Sequence, residues 1–203
     1  MGRSGSAIGG ASWVPGLRTA LWLLLLVAVA TAPSLAAAQD LTKFAKGYQL
    51  MMVRHAYAPG NGDPAGFRIG DCNTQRNLNH EGRAQAERLG AYIRAQGIGR
   101  ARVLTSQWCR CRETAELLGF GEPEEFTGLN SFYTVPEKEE AWLAELRARI
   151  GLLGRRTDEP VIMVTHAVTI SAIAGTSAGS GEAILLDLNG TGSPDFAGRV
   201  TVR

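Results

Sequence analysis

The stretch Gln49-Leu50-Met51-Met52-Val53-Arg54-His55-Ala56 decides the fold. Gln49 to Val53 runs without a charge and without alternation, the pattern of a strand covered on both faces. It ends on a cation and an imidazole, Arg54 and His55. Two more short segments repeat the arrangement. Arg102 to Thr105 leads into Ser106 and, four residues further, Arg110; Val161 to Thr165 leads into His166.

Helical sequence fills the intervals. A helix is predicted from Asn79 to Gln96, with Asn79 as N-cap and Leu89 and Ile93 on its apolar face. Another passes through Ala115 and Leu118. A third, from Pro136 to Leu153, begins with Thr134 and Glu137 in capping-box spacing and turns Trp142 (or Leu143), Leu146, Ile150 and Leu153 inward. Val168 to Ala174 forms a short fourth. A hairpin of Ala183 to Leu188 and Arg199 to Val202 closes around Asn189-Gly190-Thr191-Gly192. Strands alternating with helices predict an α/β fold: a three-layer α/β/α sandwich with a mainly parallel central sheet.

In such a sheet the carboxyl ends of the strands share one edge, and sites form in the crevice there. Arg54, His55, Arg110 and His166 therefore converge, although they are far apart in sequence. Two arginines and two histidines make a pocket for a dianion. Guanidinium forks match phosphoryl oxygens, and a neutral imidazole nitrogen is a competent nucleophile near pH 7. The glycine- and proline-rich stretch from Ala58 to Asp71 is too long for an ordinary connection and reads as a loop beside the site. It lacks the Gly-Lys-Ser/Thr ending of a nucleotide-binding P-loop. His80 reads as a solvated helix start, and Arg76 and Arg112 as ordinary surface residues.

The chain's outer features bound the compartment. Residues 1 to 38 carry only Arg3 and Arg18, then an apolar run from Ala20 to Ala30 and the small residues Ala36-Ala37-Ala38. That order predicts a cleaved secretion signal over 1–38, ahead of a single domain over 39–203 that works in the periplasm or outside the cell. The whole chain has 21 basic and 19 acidic residues. Both charges of the first segment are arginines, so the remainder balances at 19 against 19, and nothing favours nucleic acid or a membrane surface as partner. Export would let disulfides persist among Cys72, Cys109 and Cys111. Cys109 and Cys111 diverge on a helix start, and Cys111 shares a core-facing stripe with Ala115 and Leu118. The alternatives are a Cys72–Cys109 bridge or three unpaired thiols.

Four segments together resemble the histidine phosphatase superfamily, the phosphoglycerate mutase-like proteins. Val53-Arg54-His55-Ala56 is similar to its strand-end Arg-His-Gly, with Ala56 in place of glycine. Leu78-Asn79-His80-Glu81-Gly82-Arg83-Ala84-Gln85-Ala86 is similar to its helix start. Ser106-Gln107-Trp108-Cys109-Arg110-Cys111-Arg112-Glu113-Thr114-Ala115 and Val164-Thr165-His166-Ala167 are similar to the other two family segments. The resemblance implies His55 as the phosphorylated nucleophile, with Arg54, Arg110 and His166 completing the phosphate pocket and no metal or other cofactor. It also implies a small phosphorylated substrate or a phosphoprotein as partner; oligomeric state is left open.

Two departures stand out. Where many relatives carry a glutamate acid after the second helix, this chain has Leu129-Asn130-Ser131, and Ala167-Val168 follow the second histidine where others place an acid. Asp63, in the long loop, is the candidate general acid. Without an acid, phosphoramidates and esters with good leaving groups are favoured. The competing functions are a phosphomutase, disfavoured by the short chain, and a non-catalytic sensor that binds a phosphorylated ligand.

Overall fold

The computed structural model describes residues 39–202 and four glycines ahead of them. The expected export signal lies outside the described residues, and no described helix is long and apolar enough to cross a membrane. After a short helix α1 (Thr42–Ala45) come β1 (Gln49–Arg54), α2 (His80–Ala95), β2 (Arg102–Thr105), α3 (Cys109–Leu118) and a two-residue strand β3 (Glu124–Glu125). Then follow α4 (Glu139–Leu152), β4 (Val161–Thr165), α5 (Ala167–Ala174), β5 (Ala183–Asp187) and β6 (Asp195–Val200).

The six strands form one sheet in the order β3-β2-β4-β1-β5-β6. β3, β2, β4 and β1 run parallel, whereas β5 and β6 are antiparallel additions at one side. The mainly parallel reading therefore holds for the half that bears the histidines. Alternate residues of each strand point into two cores. Met51, Val53, Ile162 and Val164 pack with Leu89, Ile93, Ala115 and Leu118 of α2 and α3. Leu50, Met52, Val161 and Met163 pack with Leu143, Leu146, Ile150 and Ile170 of α4 and α5. This is the expected three-layer sandwich, and burial on both faces explains why the strands read as unbroken apolar runs.

Local signals were obeyed unevenly. The Asn79 side chain accepts from Gly82 N–H at 2.9 Å and starts α2 as its residue type predicts. The Thr134/Glu137 capping box does not form. Pro136–Lys138 makes a 3₁₀ turn that leads into α4 with no side-chain cap, and the inward residues are Leu143, Leu146 and Ile150, with Trp142 and Leu153 half-buried. Glu124 and Glu125 pair with the outer edge of β2; their side chains stay exposed, which suits an edge strand.

Candidate active site

The strand register brings the histidines together. β1 and β4 are adjacent and parallel with Arg54 opposite Thr165, so the next residues, His55 and His166, leave the sheet side by side. Their ring centroids are 5.5 Å apart. His55 N–H donates to Thr165 O at 2.9 Å and Ser106 N–H to Val164 O at 2.9 Å, extending the ladder one step past the strands. Arg110, in the first turn of α3, reaches back with Nη2 3.5 Å from His166 Nδ1. Arg54, His55, Arg110 and His166 thus line one pocket of about 210 Å³, together with Asp63, Arg76, Ser131 and Tyr133.

His55 is buried and its Nδ1–H donates to Ala56 O at 2.8 Å. That bond fixes the tautomer and leaves Nε2 with its lone pair. Burial, and then the charge of Arg110, push the His55 pKa down to about 3, so the ring is neutral at physiological pH. The turn after it is clamped from both sides. Ala56 N–H donates to the Thr114 hydroxyl at 3.0 Å, which itself donates to Arg110 O at 2.6 Å. On the other side α2 approaches so closely that a Cβ on Gly82 would sit 2.0 Å from Tyr57 O. Only glycine fits there.

The wall of the pocket comes from the long loop. Asp63 Oδ1 accepts from Arg110 Nη1 at 2.8 Å and from Arg76 N–H at 3.1 Å, and Oδ2 accepts from Trp108 Nε1 at 3.0 Å. Both charged side chains of the Arg110–Asp63 pair are only 4% exposed. Burial works to raise the Asp63 pKa, but the Arg110 charge, the Arg76 amide and the Trp108 indole outweigh it, and the carboxyl sits below its ordinary value. A general acid must hold a proton at working pH. Asp63 is held ionised with both oxygens engaged, so the expectation that it donates a proton is corrected: it anchors Arg110. Among the described residues no other carboxylate lines the pocket.

Arg76 is the residue that sequence reasoning set aside. Its Nε donates to Gly62 O at 2.8 Å and its Nη1 to Ala58 O, and the side chain lines the pocket. Its position three residues ahead of the Asn79 cap, at the end of an irregular loop, was the available signal. Three guanidinium charges less the Asp63 carboxylate leave the pocket with a net charge of +2, which matches a dianion. The same loop is tied to α3 by a disulfide, Cys72 to Cys109, with Cα atoms 5.6 Å apart. Cys111 is free and buried, and burial pushes its thiol up to about 12.

The sequence profile of the histidine phosphatase superfamily (branch 1) matches residues 50–130, which contain the first three of the segments above. Solved structures agree with the fold. The protein histidine phosphatase SixA complexed with tungstate is 17% identical with a TM-score of 0.55, covering 75% of this chain and 96% of its own. A mycobacterial glucosyl-3-phosphoglycerate phosphatase complexed with VO3 is 17% identical at a TM-score of 0.52, covering 74% of this chain and 96% of its own. A protein from Thermus thermophilus is 21% identical at 0.51, covering 76% and 99%. Comparison with curated proteins finds no match. The fold is that of these α/β proteins. Over residues 50–130 the chain is similar to the histidine phosphatase superfamily, and its fold is the one these solved structures share.

Proposed function

We propose that the chain is a phosphatase that hydrolyses phosphorylated substrates through a phosphohistidine on His55. The observation that carries this reading is the neutral His55 ring, its Nδ1–H pinned to Ala56 O, in a pocket with three guanidinium groups. Phosphoryl transfer asks mainly for positioning and for charge on the equatorial oxygens, and the arginines supply both. Arg54 Nε and Arg110 Nε are buried without an acceptor among the described residues. Orphaned buried donors cost about 1–3 kcal/mol each, which points to an acceptor from outside the chain.

In the first step His55 Nε2 attacks phosphorus while the bond to the leaving group breaks. In the second, water displaces the phosphoryl group from Nε2 and the free ring returns. With Asp63 engaged by Arg110, no described pocket carboxyl stands ready to protonate a poor leaving group. Substrates that leave without such help fit best, namely phosphoramidates such as phosphohistidine in a protein, or esters of acidic alcohols. We further propose that the domain is exported. N-terminal sequencing of secreted protein beginning near Gln39 tests that part.

Turnover of an aryl phosphate in the presence of chelator, compared between wild type and His55→Ala, tests the reaction. Loss of turnover in the variant supports it. Phosphate binding by a wild type that shows no turnover supports instead the sensor reading, which the lack of a free pocket carboxyl among the described residues favours. A rate nearly independent of leaving-group pKa contradicts the substrate preference.

A further inference from the structure

Behind His166 lies a closed set of polar contacts whose protons can be counted. Gln107 N–H, which can only donate, lies 2.9 Å from Asn130 Oδ1, and Asn130 Nδ2 donates to Gln107 Oε1 at 2.9 Å. These two bonds fix which end of the Asn130 carboxamide is oxygen. Ser106 Oγ stands 3.1 Å from that oxygen, so its one proton is committed to Asn130. Only lone pairs remain on Ser106 Oγ for its other neighbours, Trp108 N–H at 3.3 Å and His166 Nε2 at 2.9 Å. His166 Nε2 must then carry a proton. The opposite side of the ring gives the same answer, because Arg110 Nη2, a pure donor, is the group 3.5 Å from Nδ1. Ser106, Asn130 and His166 are all buried, so water does not compete for these bonds.

We infer that Ser106 and Asn130 are positioning residues that hold His166 in its Nε2–H form, so that Nδ1 faces Arg110 and the pocket as a lone pair and anion binding is coupled to uptake of one proton there. The inference rests on the reading of this pocket as an oxyanion site. A lone pair set against a phosphoryl oxygen repels it. A proton taken from solvent onto Nδ1 converts that contact into a charge-assisted hydrogen bond, while Nε2–H stays with Ser106.

The surroundings explain why the proton arrives only with the anion. Burial, and then Arg110, His55, Arg76 and Arg54, hold the His166 pKa well below its ordinary value. Cys111, with its Sγ 3.4 Å from Nε2, keeps its thiol protonated and offers no countercharge. Trp108 meets the ring edge-on at 5.3 Å and is neutral, and Asp63 is taken by Arg110. A dianion in the pocket supplies the missing negative charge. His55 and His166 are therefore opposite tautomers: Nδ1–H with a bare Nε2 at the nucleophile, Nε2–H with a bare Nδ1 at its partner.

Tungstate, a dianion throughout the neutral range, is the probe. Calorimetric titration at pH 7.5 in buffers of different ionisation enthalpy gives the number of protons taken up. Wild type and Ser106→Thr, which keeps the hydroxyl, are expected to take up about one proton. Ser106→Ala is expected to take up less than half of that, because a neutral ring with Nδ1–H then becomes available to the anion. Long-range proton–nitrogen NMR spectra of the unliganded protein are expected to show the two histidines as opposite tautomers, with the Nε2–H form of His166 less populated in Ser106→Ala, where Arg110 alone still favours it. In the tungstate complex they are expected to place the added proton on His166.

Binding without uptake, an added proton on His55 alone, or a Ser106→Ala protein with wild-type uptake and tautomer overturns the inference. Failure of tungstate to bind at all overturns the oxyanion reading and the coupling together. The ligand-free spectra distinguish that case, since they report the tautomer independently.

Discussion

The floor and the wall of the pocket are built by different means. The floor is the pair of strand ends that carry Arg54, His55 and His166. It is fixed by the sheet, with Arg54 opposite Thr165 and His55 N–H on Thr165 O. The wall is the loop carrying Asp63 and Arg76, set against Arg110 on α3. It is held by side-chain bonds and by the Cys72–Cys109 bridge. A floor group cannot move unless the central strands move. A wall group can be released by removing one partner.

The largest expected effect falls on the floor. His55→Ala should lower aryl-phosphate turnover at least about 10³-fold while the fold persists, as loss of a nucleophile does elsewhere. Acid-quenched reactions should trap a phosphoryl-protein in wild type and none in the variant. Next comes the joint between wall and floor. Asp63→Asn strips the countercharge from buried Arg110 and should cost about 3–5 kcal/mol, read from urea unfolding. If the variant unfolds as wild type does and loses turnover selectively on poor leaving groups, Asp63 is the proton donor and not merely the anchor of Arg110.

Untying the wall should cost somewhat less. Cys72→Ser, or reduction in solution, removes a cross-link spanning 37 residues and should lower stability by about 2–4 kcal/mol. The His55 tautomer seen by NMR should be unchanged, since no wall group sets it. The smallest effect, per step, comes from pH acting on the floor. The folded pKa of His55 is lowered to about 3, so between the unfolded value near 6.5 and about 3 the unfolded chain binds a proton that the folded one does not. Stability should therefore fall as pH drops below about 6.5, by about 1.4 kcal/mol per unit for each such histidine. Urea unfolding at pH 7, 6 and 5 measures the slope, and His55→Asn should make it shallower. The Asp63 contribution has a different window: its folded pKa is depressed, so it should be lost only below about pH 4.

This division also explains what could be read from sequence. The floor was legible because a buried parallel strand writes an unbroken apolar run and its final residues must emerge at one edge. Gln49 to His55 and Val161 to His166 could hardly be read otherwise. The wall was not legible. Asp63 and Arg76 sit in irregular chain, where no periodicity says which way a side chain faces. An acidic loop residue near a catalytic edge looks the same in sequence whether it donates a proton or anchors an arginine. What separates the two is the encounter with Arg110, 47 residues away. The cysteines lay between these cases, since helix geometry argued against one pairing without choosing between the rest. Ser106 and Asn130 lie in the segments Ser106–Ala115 and Leu129-Asn130-Ser131, but their mutual bond depends on a loop returning to the end of β2.

The burial of Cys111 bears on how the chain reaches a single oxidised form. Three cysteines permit three pairings, and Cys111 takes part in two of them. Exchange proceeds through a thiolate, and with its thiol pushed up to about 12 inside the folded domain Cys111 supplies almost none. Once α3 has docked on the sheet, both wrong isomers are closed off kinetically. Buried and held as the thiol, the odd cysteine is poorly placed to attack the bridge beside it or to link one molecule to another.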